Sequence, residues 1–532
     1  MNPPYFVHNT RPLTRRTFLR GAGVALALPF LTDPATAAPS VMTKLPVALH
    51  PDNPRYFLFR GRPLVLVTAS EHYGSVLNRA FDFEKYLDDA AGRGMTLTRT
   101  FLLYRELQTP RNPSSPCKPE SPDYLAPWVR TGPGKAADGE PAYDLDRWNP
   151  EYFDRLSCFL RKASALGVVV ELTLFSHTYT DLVWSLNPLN AQNNKQSVGK
   201  AAWPEYDSLK DSALVERQLS YARKIVQETC DFDNIYYEVC NEPAGGMPGH
   251  VSPAEVDEWQ KGIASAVREE LRQRDRKHLV FGTQAFDAGK LSQRLEESFT
   301  GPLWDAVNVH PHPFLKWKDR TYDMGNFMSK QLRLKELRDF CLAVSAASKP
   351  CVIDEDNAAS LYRDAAGWTI HRKRAWMAVL SGSHYDYIDF SITVGSEAGT
   401  LDSRRGIRAW MGHLSAFIHS FDFVHARPRA DWASGLPEHL VASGLAVEGK
   451  DYVAYLADGR EAADSSAGEP IEGKAALDLP AGAFLVSFYS PTTGAGSPAS
   501  RVEGGKKIDV DLPSFRHDVV IRATRVRQGD QK

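Results

Sequence analysis

Glu242 closes the run Asn234-Ile235-Tyr236-Tyr237-Glu238-Val239-Cys240-Asn241-Glu242-Pro243, where apolar, β-branched and aromatic residues give way abruptly to Asn-Glu-Pro. Such a run reads as a buried strand. Proline lacks the amide hydrogen that a strand ladder needs, so Pro243 marks where pairing stops. Glu242 is thereby delivered into a loop at a strand tip. A second apolar run, Pro350-Cys351-Val352-Ile353, ends in Asp354-Glu355-Asp356. Two carboxyl groups brought from two strand tips can serve as proton donor and as nucleophile or base, which is what cleavage of a glycosidic bond requires. Strand alternation sets Glu355 opposite to Asp354 and Asp356, so Glu355 is the expected partner of Glu242; a bulge there would change the choice.

The rest of the chain must hold those tips together. Strand signals recur at 64–69, 95–101, 168–175, 234–240, 278–283, 304–309, 350–355 and 385–392. Helical patterns lie between them, over 83–93, 149–166, 212–229, 253–274, 326–347, 367–380 and 403–421. Ser252-Pro253-Ala254-Glu255 supplies an N-cap, a proline at the first helical position and a capping-box acid. Regular alternation of strands and helices implies parallel pairing, and eight such units point to a (β/α)₈ TIM barrel over residues 45–425. A doubly wound open sheet is the alternative. The first strand is followed by no Gly-rich phosphate loop, which argues against a nucleotide. A Pro-rich loop is expected at 109–141, and an Asn-rich loop holding Trp184 and Trp203 after the third strand. From about 426 to 532 helical periodicity gives way to short alternating runs between turn residues, the pattern of a small β-sandwich.

Barrel chemistry sits at the C-terminal strand tips. Those tips present Glu71 and His72, Arg99, Ser176 and His177, Asn241 and Glu242, Gln284, His310 and His312, Asp354 to Asp356, and Asp389. The mid-strand acids Glu171 and Glu238 are expected to form structural ion pairs.

The Tyr237–Pro243 motif after strand four and the Lys349–Glu355 motif after strand seven resemble the retaining glycoside hydrolases of clan A, in the manner of cellulase-like exported bacterial proteins. The resemblance covers the barrel. It implies Glu242 as general acid/base, Glu355 as nucleophile, Asn241 on a sugar hydroxyl, Arg99 holding the nucleophile ionised, and His310 beside it. Members of the clan often carry a Trp after strand eight; here Phe390 or Tyr385 stands instead. Further substrate-binding candidates are His312, Glu71, His72 and Trp184. In such enzymes the acid's pKa is raised while the nucleophile stays ionised, and the carboxyls of a retaining pair lie about 5–5.5 Å apart.

Composition narrows the partners. Acids and bases nearly balance, with 63 Lys+Arg, 65 Asp+Glu and a net charge of −2, which favours neither nucleic acid nor an anionic membrane. The six cysteines form no metal-binding pair, and Cys240 and Cys351 read as buried thiols. No cofactor is implied. Arg15-Arg16 followed by Phe18-Leu19, an apolar run and Ala35-Thr36-Ala37 reads as a twin-arginine export signal over 1–37. That implies the twin-arginine machinery as a partner and a periplasmic or extracellular location. Two other functions compete with a glycosidase acting on carbohydrate: a metal-dependent hydrolase using His310, His312, Asp354 and Asp356, and a non-catalytic carbohydrate-binding protein.

Overall fold

The computed structural model describes residues 45–105, 118, 119, 121–325, 329–356, 358 and 363–526. The leader expected over 1–37 and much of the Pro-rich stretch, 106–117, lie outside the described residues.

Eight parallel strands build the barrel: β1 (Val67–Ser70), β2 (Leu97–Phe101), β3 (Val169–Ser176), β4 (Ile235–Asn241), β5 (Val280–Gly282), β6 (Ala306–Val309), β7 (Cys351–Ile353) and β8 (His384–Ile388). Each pairs with its sequence neighbour from β2 through to β8, and β8 pairs back with β1. Backbone hydrogen bonds from Thr96 to Val67 and from Phe101 to His72 draw β1 and β2 together, which nearly closes the ring. The helices begin where the capping residues place them. The Asn149 side chain accepts from the Glu151 amide with Pro150 at the first helical position, and Ser252 forms its capping box with Glu255.

Three elements depart from the sequence reading. The helix expected from 326 starts at Leu334, because residues 329–333 run as irregular chain ahead of it. The last helix is two, Leu401–Arg405 and Ile407–His419, separated at Gly406, where a Cβ would come within 3.1 Å of the Trp368 ring. The second half of the expected Pro-rich loop is an antiparallel ribbon, Trp128–Lys135 with Pro141–Trp148. It folds because Trp128 and Tyr143 are buried in the cluster that also holds Tyr152 and Tyr221.

Inside the barrel two layers differ in kind. At the N-terminal ends of the strands, Leu66, Leu97, Val169, Tyr236, Phe281, Ala306 and Val352 form an apolar floor. Tyr236 and Phe281 stack there at 3.9 Å, and Phe57 from a β-hairpin closes it from below. Above lies a polar layer of Arg99, Glu171, Glu238, Asn308 and Asp354, all essentially inaccessible to water. Burying so many charges is tolerable only where each is paired and hydrogen-bonded.

Loops after β4, β5 and β6 add short strands at the mouth, Ala244–Gly245, Phe286–Asp287, Ser292–Arg294, Phe314–Trp317 and Arg320–Tyr322, joined in one sheet. The C-terminal region forms a six-stranded and a three-stranded antiparallel sheet that face each other over a core containing Trp432, Tyr452 and Phe484. The helix Ala365–Val379 lies between barrel and sandwich and is buried along most of its length. Its Arg372 reaches Asp518 of the sandwich at 2.8 and 3.0 Å, and Trp376 stacks on Tyr455.

Candidate active site

Arg99 on β2 is the hub. Its guanidinium donates to Glu355 at 2.5 Å, to Glu238 at 2.6 Å and to Asn241 at 2.8 Å, and lies 3.4 Å from both Asp354 and Glu171. A planar fork of five N–H donors is the one side chain that can serve this many acceptors at fixed angles. Glu238 also accepts from Thr173, and both Glu238 and Glu171 accept from Asn308. The two mid-strand acids therefore face the barrel interior and form the electrostatic floor of the site.

Asp354, Glu355 and Asp356 leave β7 in an order that simple alternation does not give. Asp354 points inward, 3.1 Å from His310 and 3.4 Å from Arg99. Glu355 adopts a left-handed backbone, φ 47°. That turn swings its carboxylate to the same side as Asp354, onto Arg99. Asp356 goes the other way, to Arg374 at 2.6 Å and Tyr385 at 2.8 Å. Glu242 has the same left-handed conformation, φ 47°. For a non-glycine residue this costs of order 1–3 kcal/mol, and such strain concentrates at functional sites. Both tip carboxylates are thus aimed by backbone torsion as well as by strand position.

His310, after β6, joins them. Its Nδ1 lies 3.2 Å from Glu242 and 3.8 Å from Glu355, and its Nε2 lies 3.1 Å from Asp354. One ring nitrogen thus lies beside both tip carboxylates. With carboxylates at both ring nitrogens, His310 is an imidazolium: burial works against its charge, but Asp354 and Glu242 outweigh burial and hold its pKa well above the usual histidine value. Glu242 receives a second donor, the Tyr179 hydroxyl at 2.6 Å. Tyr73 donates to Glu355 at 3.3 Å.

The electrostatics run against the expectation of a raised acid. At Glu355 burial lifts the carboxyl above the usual carboxylate range, with Arg99 and His310 acting against it. At Glu242 burial also pushes upward, but the hydrogen bond and charge of His310, with Tyr179 adding to them, hold it down at about 2. The physical reason is that both oxygens of Glu242 face donors, Tyr179 on one and His310 on the other.

The remaining candidates divide. Asn241 is 1% exposed, with its oxygen on Arg99 and its amide nitrogen donating to Ser176 and Tyr179. His72 is buried beneath Arg99: its Nδ1 lies 3.4 Å from the guanidinium and its Nε2 lies 2.9 Å from Asp386. Glu71 does not face the mouth; its carboxylate accepts from the Tyr73 and Gly74 amides and the Ser75 hydroxyl, at the start of the short helix Gly74–Leu77. Trp184 is no platform either, being 2% exposed with its indole donating to the Ala201 carbonyl and its ring against Tyr206. A loop folded back on itself hides it. Trp203, from the same loop, instead packs near His177 and His250. Phe390 is half-buried after β8 with the Arg363 guanidinium 5.9 Å over its ring. His312 stacks on Phe286 at 4.3 Å, and burial lowers its pKa to about 4, so it is neutral near Glu242.

The four proposed metal ligands are not gathered, since Asp356 and His312 turn to other partners. Among the described residues Glu238, His310 and Asp354 do bring ligand atoms within 4.8 Å of one another. Arg99, however, already supplies the positive charge there, paired with both Glu238 and Asp354. Tyr179, Tyr73 and Asp207, which pairs with His177 at 2.9 Å, were not singled out by sequence reasoning, and only the strand-tip position of His177 hinted at that part of the site.

No family model matches the sequence, and no curated protein matches it. Solved structures do. A protein described as a glycoside hydrolase superposes with a TM-score of 0.56 at 13% identity, covering 91% of this chain and 97% of its own. A glycoside hydrolase family 5 protein from Bacteroides vulgatus gives 0.55 at 13% identity, covering 91% and 95%. At that identity the shared property is the fold, extending through barrel and C-terminal β-domain alike.

Proposed function

We propose that this protein is a retaining glycoside hydrolase, with Glu355 as nucleophile and Glu242 as general acid/base. One observation carries the reading. Carboxylates from the tips of β4 and β7, both in left-handed backbone, converge on the same nitrogen of His310, above a buried arginine bound to one of them. In the first step Glu242 gives its proton to the departing glycosidic oxygen while a Glu355 oxygen bonds to the anomeric carbon. In the second, Glu242 takes a proton from water as that water's oxygen replaces Glu355. Arg99 stabilises the Glu355 carboxylate before attack and again on release, and the dry floor of Glu238, Asn308 and Asp354 fixes the guanidinium.

The substrate class that fits is an oligo- or polysaccharide, and the Arg15-Arg16 leader supports export to the periplasm or beyond. A panel of aryl glycosides and polysaccharides, assayed with wild type, Glu242→Gln and Glu355→Gln, tests the reading. Turnover lost in both variants upholds it, and turnover unchanged in both removes it.

A further inference from the structure

Tyr179 stands where a substrate group would have to stand. Its hydroxyl donates to Glu242 Oε2 at 2.6 Å and accepts from Asn241 Nδ2 at 2.7 Å. With Ser176 on the other side, the Asn241 amide is fully used, and its oxygen is held by Arg99. With His310 on Oε1, Glu242 has a donor on each oxygen. In this state Asn241 has no amide hydrogen to offer a sugar hydroxyl, and Glu242 has no proton to give. The residue responsible is itself held in a left-handed backbone, φ 55°, at the start of the loop after β3, immediately before Thr180 caps the short helix Asp181–Ser185. A bulky residue in that conformation persists only where surrounding contacts enforce it. Here the Tyr104 and His177 rings flank it edge-on at 6.4 and 5.4 Å.

We propose that Tyr179 is an internal substrate mimic: its phenol fills the seat of the sugar hydroxyl next to the anomeric carbon, and a glycosyl unit must displace it to bind. Displacement does two things at once. It frees the Asn241 amide for the sugar hydroxyl, and it removes one of the two donors that keep Glu242 ionised. Substrate entry thereby arms the acid, and a ligand without a hydroxyl at that position gains nothing from Asn241 and leaves the tyrosine in place. The charged and titratable groups facing Glu242 are His310 and His312 after β6, Glu355 after β7, and His177 and Tyr179 after β3. Removing the Tyr179 hydroxyl leaves the hydrogen bonds of the Arg99–His310–Asp354 frame untouched.

The inference rests on the glycosidase reading, and one experiment separates the two. Steady-state kinetics on an active aryl glycoside are compared for wild type, Tyr179→Phe and Glu355→Gln. Tyr179→Phe keeps the ring and removes the competing hydroxyl, so KM is expected to fall about two- to tenfold, the worth of one net hydrogen bond, with kcat kept or raised. The alkaline limb of its kcat/KM profile should move to higher pH, because Glu242 loses a donor. Glu355→Gln should be inactive. If Tyr179→Phe instead lowers kcat tenfold or more at unchanged KM, the phenol stays bound through catalysis, and the mimic is overturned while the glycosidase reading stands. If Glu355→Gln turns over like wild type, the glycosidase reading fails and the mimic fails with it.

Discussion

Replacing Arg99 by Met tests whether the buried network is organised around one cation. The guanidinium has no exposed surface and lies within ion-pair distance of four acids, Glu355, Glu238, Asp354 and Glu171, while fixing Asn241. Methionine fills much of the volume but leaves buried carboxylates facing one another. Breaking a buried pair in this way costs about 3–5 kcal/mol, more than the net worth of the pair, because the partner is left unpaired in a medium that cannot solvate it. Urea denaturation should show that loss at neutral pH. Part of it should be recovered at lower pH, where the orphaned acids take up protons. Activity should fall about 10²–10³-fold, the usual effect of removing one preorganised charge from a reacting centre. Arg99→Lys should recover some stability but little activity, since an ammonium cannot hold Glu355 and Glu238 in one plane. Stability within 1 kcal/mol of wild type, together with kcat/KM within about threefold, would refute the reasoning.

Other expectations concern groups outside the reacting centre. Trp184→Ala should destabilise the protein by about 3–5 kcal/mol, as truncation of a buried aromatic does, and leave KM for any glycan within twofold; a large KM change at unchanged stability would restore the platform role. Acid stability should track buried neutral histidines. Burial lowers His384 and His371 to about 4, so each contributes stability that is complete above the unfolded value near 6.5 and lost as pH falls through 4. Urea midpoints between pH 7 and 4 should therefore decline, and His384→Gln should flatten part of that slope. An unchanged slope would mean that His384 carries no proton linkage.

The sequence made the barrel legible because eight apolar runs alternate with capped helices, and both motifs, Asn241-Glu242-Pro243 and Asp354-Glu355, fall at strand tips. Alternation failed at Asp354 to Asp356 because it describes extended chain, and the left-handed turn at Glu355 lies beyond the last paired residue of β7. Glu71 looked like a site residue because it follows β1, yet the short helix that starts at Gly74 claims its carboxylate. The amide partners that decide this belong to its own local turn, and strand counting does not register them. Trp184 shows the limit for long loops: an aromatic side chain reads the same whether the loop opens or folds back over it. The reversed electrostatics of Glu242 depend on His310 and Tyr179 arriving from two other strands, a convergence that spacing along the chain does not encode. The helix Ala365–Val379 presents charged residues to both barrel and sandwich, Arg374 to Asp356 and Arg372 to Asp518, so its pattern carries little amphipathic signal.

The most direct test of the paired-carboxylate mechanism is the anomeric configuration of the first-formed product, followed by proton NMR during the opening minutes of hydrolysis of an aryl glycoside. Double displacement through Glu355 predicts that the sugar appears with the configuration of the substrate and equilibrates only later by mutarotation. A first product of inverted configuration would contradict the assignment of Glu355 as nucleophile.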